Sequence, residues 1–240
     1  MDLYLIRVAE NTHILQNSQQ SIAKAIEHAG LDLEWNVDII SMSFGYYDKP
    51  GMNHTVIDEA IERVKKYRKE QDSALASAGN SWSQRISFPA SHKDVISIYA
   101  GDSKGVFLNS NPAHTGKKLG TYGKDVPSSM VNEVKSHFPE ADLSAGTSIA
   151  TAIAAGIVAM MLSYAVALPS IMKNNGFEEI LAKISTKKGM EHMLEAMSLT
   201  RHEEEHFISP MWYWGEKEKD LDILVSICGA IEQMNKQLQE

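Results

Sequence analysis

Residues 149–168 are almost continuously apolar, and no other segment constrains the fold of the chain as strongly. The run is long enough to cross a membrane as a helix of about 20 residues. It is heavy in alanine, however, and contains Thr151, Gly156 and Ser163. No basic cluster flanks it to set an orientation in a bilayer. Small residues at this density suit a helix packed in the centre of a large α/β domain, so a buried helix is expected and a membrane span is not.

The segments ahead of this helix alternate between two periods. Residues 3–9 are rich in Leu, Ile, Tyr and Val and read as a strand. Ile22, Ala25, Ile26 and Ala29 recur at helical spacing, with Ser18 or Ser21 as N-cap and Gly30 as stop. Residues 37–44 read as a strand buried on both faces. Asn53 can cap a helix bearing Val56, Ile57, Ala60, Ile61, Val64 and Tyr67, with acids early and bases late as the helix dipole favours. Residues 73–78 and 95–100 supply two more strands, and 101–145 hold turns and short strands. Strand and helix in alternation predict an α/β fold, with a parallel sheet and right-handed crossovers. After Pro169 the composition shifts to three helix-like pieces, 176–186, 189–199 and 219–237, with an aromatic cluster Trp212-Tyr213-Trp214. The expected division is therefore 1–169, followed by a helical extension over 170–240.

Composition narrows the partners. A net charge of -8 argues against nucleic acid or an anionic membrane, both of which attract positive surfaces. Cys228 is the single cysteine, which excludes an intrachain disulfide and fits a reducing compartment. The first residues lack the pattern of a signal peptide, which favours an intracellular location.

The chemistry concentrates at Gly146-Thr147-Ser148, directly before the apolar run. A serine in the first turn of a long helix has a backbone N–H without an intrahelical acceptor, at the positive end of the dipole. That suits a nucleophile whose reaction creates an oxyanion. An ordinary N-cap is the plain alternative for such a tripeptide.

Other segments favour the nucleophile. Gly146-Thr147-Ser148-Ile149-Ala150, Ala78-Gly79-Asn80, residues 38–45 (DIISMSFG) and Phe88-Pro89-Ala90 before Val95-Ile96 stand in the order found in the subtilisin-like serine proteases. Over residues 3–165 the chain resembles that family, Peptidase S8, and the look of its tail suggests the fungal branch. The resemblance implies a three-layer subtilisin-like domain, incomplete at its N-terminal side, and a serine-type endopeptidase acting on a protein or peptide. Ser148 would be the nucleophile, with the Asn80 amide and the Ser148 N–H as oxyanion donors. Ser43, Phe44, Gly45, Ala78, Gly79 and Thr147 would line the substrate cleft. A cis Phe88-Pro89 peptide is also implied. No cofactor is expected; calcium occurs in the family, but no site for it is identifiable in the sequence.

The departures matter more. Ala152 and Ile153 stand where the family has Pro and His. The aspartate and histidine motifs of the triad, Asp-Ser/Thr-Gly and His-Gly-Thr-His, are absent, and residues 2–8 resemble the strand that follows the histidine-bearing helix. None of His13, His28, His54, His92, His114, His137, His192, His202 and His206 has the family's flanking residues, although His92, after the Pro89 turn, is placed to approach the site. Without a base the serine hydroxyl stays protonated and the chain alone is expected to be inert. A non-catalytic peptide-binding module is the second reading. A third is a zinc hydrolase through His202-Glu203-x-x-His206, which needs a helix to bring both imidazoles to one face.

Overall fold

The structure, a computed structural model, describes residues 2–10, 12–15, 17–47, 54–68, 73–124, 132, 136, 145–172, 182–202, 204–215 and 220–239. In chain order the elements are α1 (Thr12–Leu15), α2 (Gln19–Leu31), β1 (Ile39–Met42), α3 (Thr55–Tyr67), β2 (Ser73–Ser77), β3 (Ile96–Gly101), β4 (Lys118–Tyr122) and α4 (Thr147–Met172). After them come α5 (Lys187–Ala196), β5 (Ser198–His202), β6 (Glu205–Ile208), α6 (Pro210–Trp214) and α7 (Asp220–Gln237). The strands form one sheet in the order β1-β2-β3-β4-β6-β5, parallel throughout except for the antiparallel β5–β6 pair. This is the expected α/β architecture.

β2 shows how two cores are built on one sheet. Its side chains alternate, as a strand requires. Leu75 joins a cluster with Ile98, Leu119, Ala154, Val158, Met161, Met193 and Ile231, whereas Ala74 and Ala76 join Ile22, Ile26, Ile57, Ile61 and Val64. Helices α4, α5 and α7 therefore cover one face, and α2 and α3 the other. Small residues let both layers approach closely: a Cβ on Gly30 would lie 2.3 Å from Val64 Cγ1. Gly30 thus serves the α2–α3 contact inside the helix, and the helix stops one residue later instead of at Gly30. Ser18 sits at the N-cap as expected, but its hydroxyl donates to the Ile14 carbonyl and does not cap.

Several expectations change. Residues 2–9 form no strand: a segment becomes a strand only where a neighbour satisfies its N–H and C=O groups, and none of the described strands pairs with them. Leu3 and Leu5 are 76% and 84% exposed, while Tyr4 stacks on Trp35 at 4.6 Å and Val8 touches the α2–α3 core. β1 is an edge strand with only β2 beside it, so it is half-buried where burial on both faces was expected. The predicted cap Asn53 lies outside the described residues; α3 has His54 at its N-cap position. The apolar run is one helix, α4, running through Pro169 to Met172; the proline falls in the final turn, where little helix remains to break. One stripe of α4, including Ala150, Ala154, Val158, Met161, Ala165 and Leu168, is buried against the sheet, while Tyr164 and Val166 face outward. Residues 147–170 remain long and apolar enough to cross a membrane by length and composition alone. Beyond α4 the chain carries α5 and α7 as expected helices. It also adds β5 and β6, which extend the sheet, and buries Phe207 and Ile208.

Candidate active site

The C-terminal ends of β1 and β2 and the N-terminus of α4 meet at one place. The sheet positions α4 from below: Gly146 N donates to the Gly123 carbonyl at 2.8 Å, just beyond β4. Gly123 has to be small there, since a Cβ would lie 2.8 Å from the Gly146 carbonyl and 2.4 Å from Ala100 Cβ. From this anchor Thr147 opens α4 fully buried, and Ser148 follows half-exposed.

Thr147 and Asn80 define each other's orientation. Thr147 N donates to Asn80 Oδ1 at 2.8 Å, and the Thr147 hydroxyl donates to the same oxygen at 3.1 Å. A backbone N–H can only donate, so the atom facing it must be the amide oxygen. That assigns the Asn80 amide and leaves Nδ2 as the donor on the open side. The Thr147 hydroxyl has one proton, spent on Asn80. It therefore accepts from Gly79 N at 3.2 Å and from Ser77 Oγ at 2.6 Å. Gly79 turns with φ +115°, a conformation L side chains avoid, and a Cβ there would press on Tyr47 Oη at 2.7 Å. Asn80 N in turn donates to Tyr47 Oη at 3.1 Å. The asparagine is held at both its backbone and its side chain, with Nδ2 left for an incoming group.

Ser148 Oγ donates to the Ser43 carbonyl at 2.9 Å, and Ser43 Oγ donates to the Ser148 carbonyl at 2.9 Å. These reciprocal bonds tie α4 to the segment after β1. Ser43 and Gly45 are exposed and Phe44 is half-buried on that rim. Gly45 approaches Ser87 so closely that a Cβ would meet its Oγ at 2.2 Å. Tyr46 and Phe88 exchange backbone hydrogen bonds, and the Phe88-Pro89 peptide is cis, as the resemblance implies. Ala78 and Gly79, just beyond β2, are buried. Of the residues singled out in sequence, Ser43 bonds Ser148, and Asn80 and Gly79 bond Thr147, with Phe44, Gly45 and Ala78 beside them after β1 and β2. Tyr47, Ser77 and Ser87 bond or pack into the same group. Two residues in loops, Tyr47 and Ser87, and a serine in the small-residue strand β2, Ser77, carry no spacing signal that would have found them.

Among the described residues, no imidazole, carboxylate or amine is hydrogen-bonded to Ser148. His92 is engaged elsewhere: Nε2 lies 3.3 Å from Asp58 Oδ1, and Nδ1 accepts from Asp94 N at 3.0 Å. Burial lowers its pKa, against the pull of Asp58 and Asp94. Asp58, Glu62 and His92 bring their ligand atoms within 4.8 Å of one another, but the set does not fit a cation well. The Asp94 N–H demands the Nδ1 lone pair, so the proton sits on Nε2, the atom a metal would need bare. Lys93 already pairs with Glu62 at 3.0 Å.

The zinc reading fails on secondary structure. Ser198–His202 and Glu205–Ile208 pair as the antiparallel strands β5 and β6, in which His202 pairs with Glu205 and Thr200 with His206. The i, i+4 face of a helix, which would bring His202 and His206 together, does not exist. His206 Nδ1 instead lies 3.1 Å from Ser198 Oγ.

The family model described as the subtilase family, Peptidase S8, matches residues 1–197. No curated protein matches the chain. Among solved structures, the prenylagaramide maturation protease PagA is similar with a TM-score of 0.56 at 19% identity; the match covers 90% of this chain and 68% of PagA. The patellamide maturation protease PatA gives 0.56 at 17% identity, covering 91% of this chain and 69% of PatA. The PatG macrocyclase domain gives 0.54 at 15% identity, covering 82% and 56%. At such identities these neighbours speak for the fold alone.

Proposed function

The chain belongs to the subtilase family, and on that premise we propose that it carries the nucleophile and oxyanion half of a serine endopeptidase site. The observation that carries this reading is the Asn80–Thr147–Ser148 arrangement, in which Thr147 holds Asn80 Oδ1 through both its N–H and its hydroxyl beside Ser148. An extended peptide would lie between Ser43–Gly45 and Ala78–Asn80, adding a strand beside the rim. Ser148 Oγ would attack its carbonyl carbon. The negative oxygen would take hydrogen bonds from Asn80 Nδ2 and the Ser148 N–H, whose position at the start of α4 adds the favourable end of the dipole. The division of the chain into a subtilase portion, 1–169, and an extension over 170–240 belongs to the same proposal.

The proton is the obstacle. Ser148 donates to the Ser43 carbonyl, which has no basicity to accept it outright. Attack needs an imidazole oriented by a carboxylate, and that pair would have to come from outside the residues that line this cleft. The chain alone is therefore expected to be inert. The same Ser148–Ser43 bond favours a second reading, a peptide-binding module that keeps the cleft and no longer turns over.

A fluorophosphonate probe tests the inert state. At pH 7 the wild-type chain should label no faster than Ser148→Ala. Rapid labelling at Ser148 would show that a base is already in place and would overturn this part of the reading.

A further inference from the structure

The strand β6 that takes His206 away from His202 brings it to α5. Side chains alternate along a strand, so His206 shares a face with Ile208, which packs in one cluster with Met193 of α5. On α5, His192 and Glu195 stand three residues apart and therefore on one face of the helix. Ser198 links the two elements: its Oγ donates to the Glu195 carbonyl at 2.8 Å and lies 3.1 Å from His206 Nδ1.

His192 has no other evident employment. Its side chain is 16% exposed, neither ring nitrogen reaches solvent, and among the described residues neither has a hydrogen-bond partner. A buried polar group left unmatched is costly and points to a water or an ion. Its Nδ1 lies 3.5 Å from Glu195 Oε2. That is long for a hydrogen bond but close to the spacing of two ligands on one zinc ion: bonds of about 2.0–2.1 Å at a tetrahedral angle put the donor atoms about 3.3–3.4 Å apart. The carboxylate is already oriented, because Lys117 Nζ sits 2.6 Å from Oε1 and leaves Oε2 toward His192.

His206 has the matching tautomer. The Ser198 hydroxyl spends its one proton on the Glu195 carbonyl, so His206 Nδ1 carries the ring proton and donates to Ser198 Oγ. Nε2 then bears the lone pair, and it is buried. Burial also keeps the ring neutral at pH 7, against the pull of Glu195. An imidazole with one nitrogen held by an oxygen and the other bare is prepared as metal ligands are. In the Asp58–Glu62–His92 group, by contrast, the ring proton occupies the nitrogen a metal would need.

We propose that His192 Nδ1, Glu195 Oε2 and His206 Nε2 form a zinc site that ties α5 to β6, with water as the fourth ligand. Filling it draws the His206 ring toward the His192–Glu195 pair by side-chain rotation. The site lies by the N-terminal ends of β4 and β6, whereas Ser148 stands at the C-terminal ends of β1 and β2, so zinc here serves the fold and not the chemistry at Ser148.

Titration of the metal-free full chain with Zn²⁺ against a chromophoric chelator tests this. One equivalent should bind, and Tm should rise in excess Zn²⁺. His192→Asn and His206→Asn should each weaken binding by more than about a hundredfold, beyond the loss expected when only a supporting hydrogen bond goes. His92→Asn should leave it unchanged. Zinc-edge X-ray absorption on the wild-type complex should show two imidazoles, and it decides the matter if a variant fails to fold. No saturable binding, binding that survives His192→Asn and His206→Asn, binding lost with His92→Asn, or a zinc environment with fewer than two imidazoles overturns the proposal.

Discussion

The two edges of the sheet are built differently. At one, β6 and β5 close the sheet, Phe207 sits under Gly101 and Gly105, and α5, α6 and α7 pack around the join. At the other, β1, like β5, has a neighbour on one side only among the described residues, but the residues ahead of α1 leave Leu3 and Leu5 in solvent. The candidate site lies between these edges, where Ser77, Gly79 and Asn80 at the end of β2 are hydrogen-bonded to Thr147 of α4. The difference teaches that the residues proposed as nucleophile and oxyanion donor are held by hydrogen bonds from β2 and α4; under that proposal a base would come from outside this packed region.

The largest expected contrast in stability compares these edges. Phe207→Ala should cost about 3–5 kcal/mol, because a fully buried ring is removed from between β4 and α6. Leu5→Ala should cost less than about 0.5 kcal/mol, because its side chain is already in water. Urea melts of both variants test this, and a comparable loss for Leu5→Ala would show that the N-terminal segment is packed after all.

The next effect sharpens the closed side of the cleft. Thr147→Ala removes a buried hydroxyl that serves Ser77, Gly79 and Asn80. It should destabilise the chain by about 1–3 kcal/mol in the same melts. Ser43→Ala, at an exposed bond on the open side, should cost no more than about 0.5 kcal/mol. Equal losses would erase the asymmetry.

How much of this was visible beforehand follows from where the information resides. Gly146-Thr147-Ser148 stood out as a serine opening a long helix, and Ala78-Gly79-Asn80 through the resemblance to the subtilisin-like proteases. Apolar periodicity revealed α2 and α3, and an unbroken apolar run revealed α4. Residues 3–9 have the composition of a strand, but strand formation depends on a partner, which no local pattern can report. Residues 202–206 show the same limit from the other side. Two histidines four apart suggest a helix face, yet Phe207 and Ile208 are drawn into the sheet beside β4 and set the segment as a hairpin. Tyr47 was invisible because its role is defined by a contact across 33 residues with Asn80.

A smaller effect concerns pH. Burial lowers the pKa of His92 below its ordinary value near 6.5. The unfolded chain therefore takes up a proton more readily than the folded one as pH falls through that value, and stability falls with it. Tm should drop between pH 7.5 and 5.5, and His92→Asn should flatten part of that slope. His206, also lowered by burial, should supply another part, so a slope unchanged by His92→Asn would remove His92 from the account.

The central claim is that the cleft is chemically assembled and lacks only a base. Fluorophosphonate labelling in the presence of added imidazole measures this directly. Imidazole should raise the rate at Ser148 well above its base-free value, with Ser148→Ala unlabelled. Asn80→Ala should lose about 10²–10³ of the rescued rate, the range known for such a donor within this family. No rescue by imidazole, or rescue indifferent to Asn80, would contradict the claim and leave the peptide-binding module as the better account.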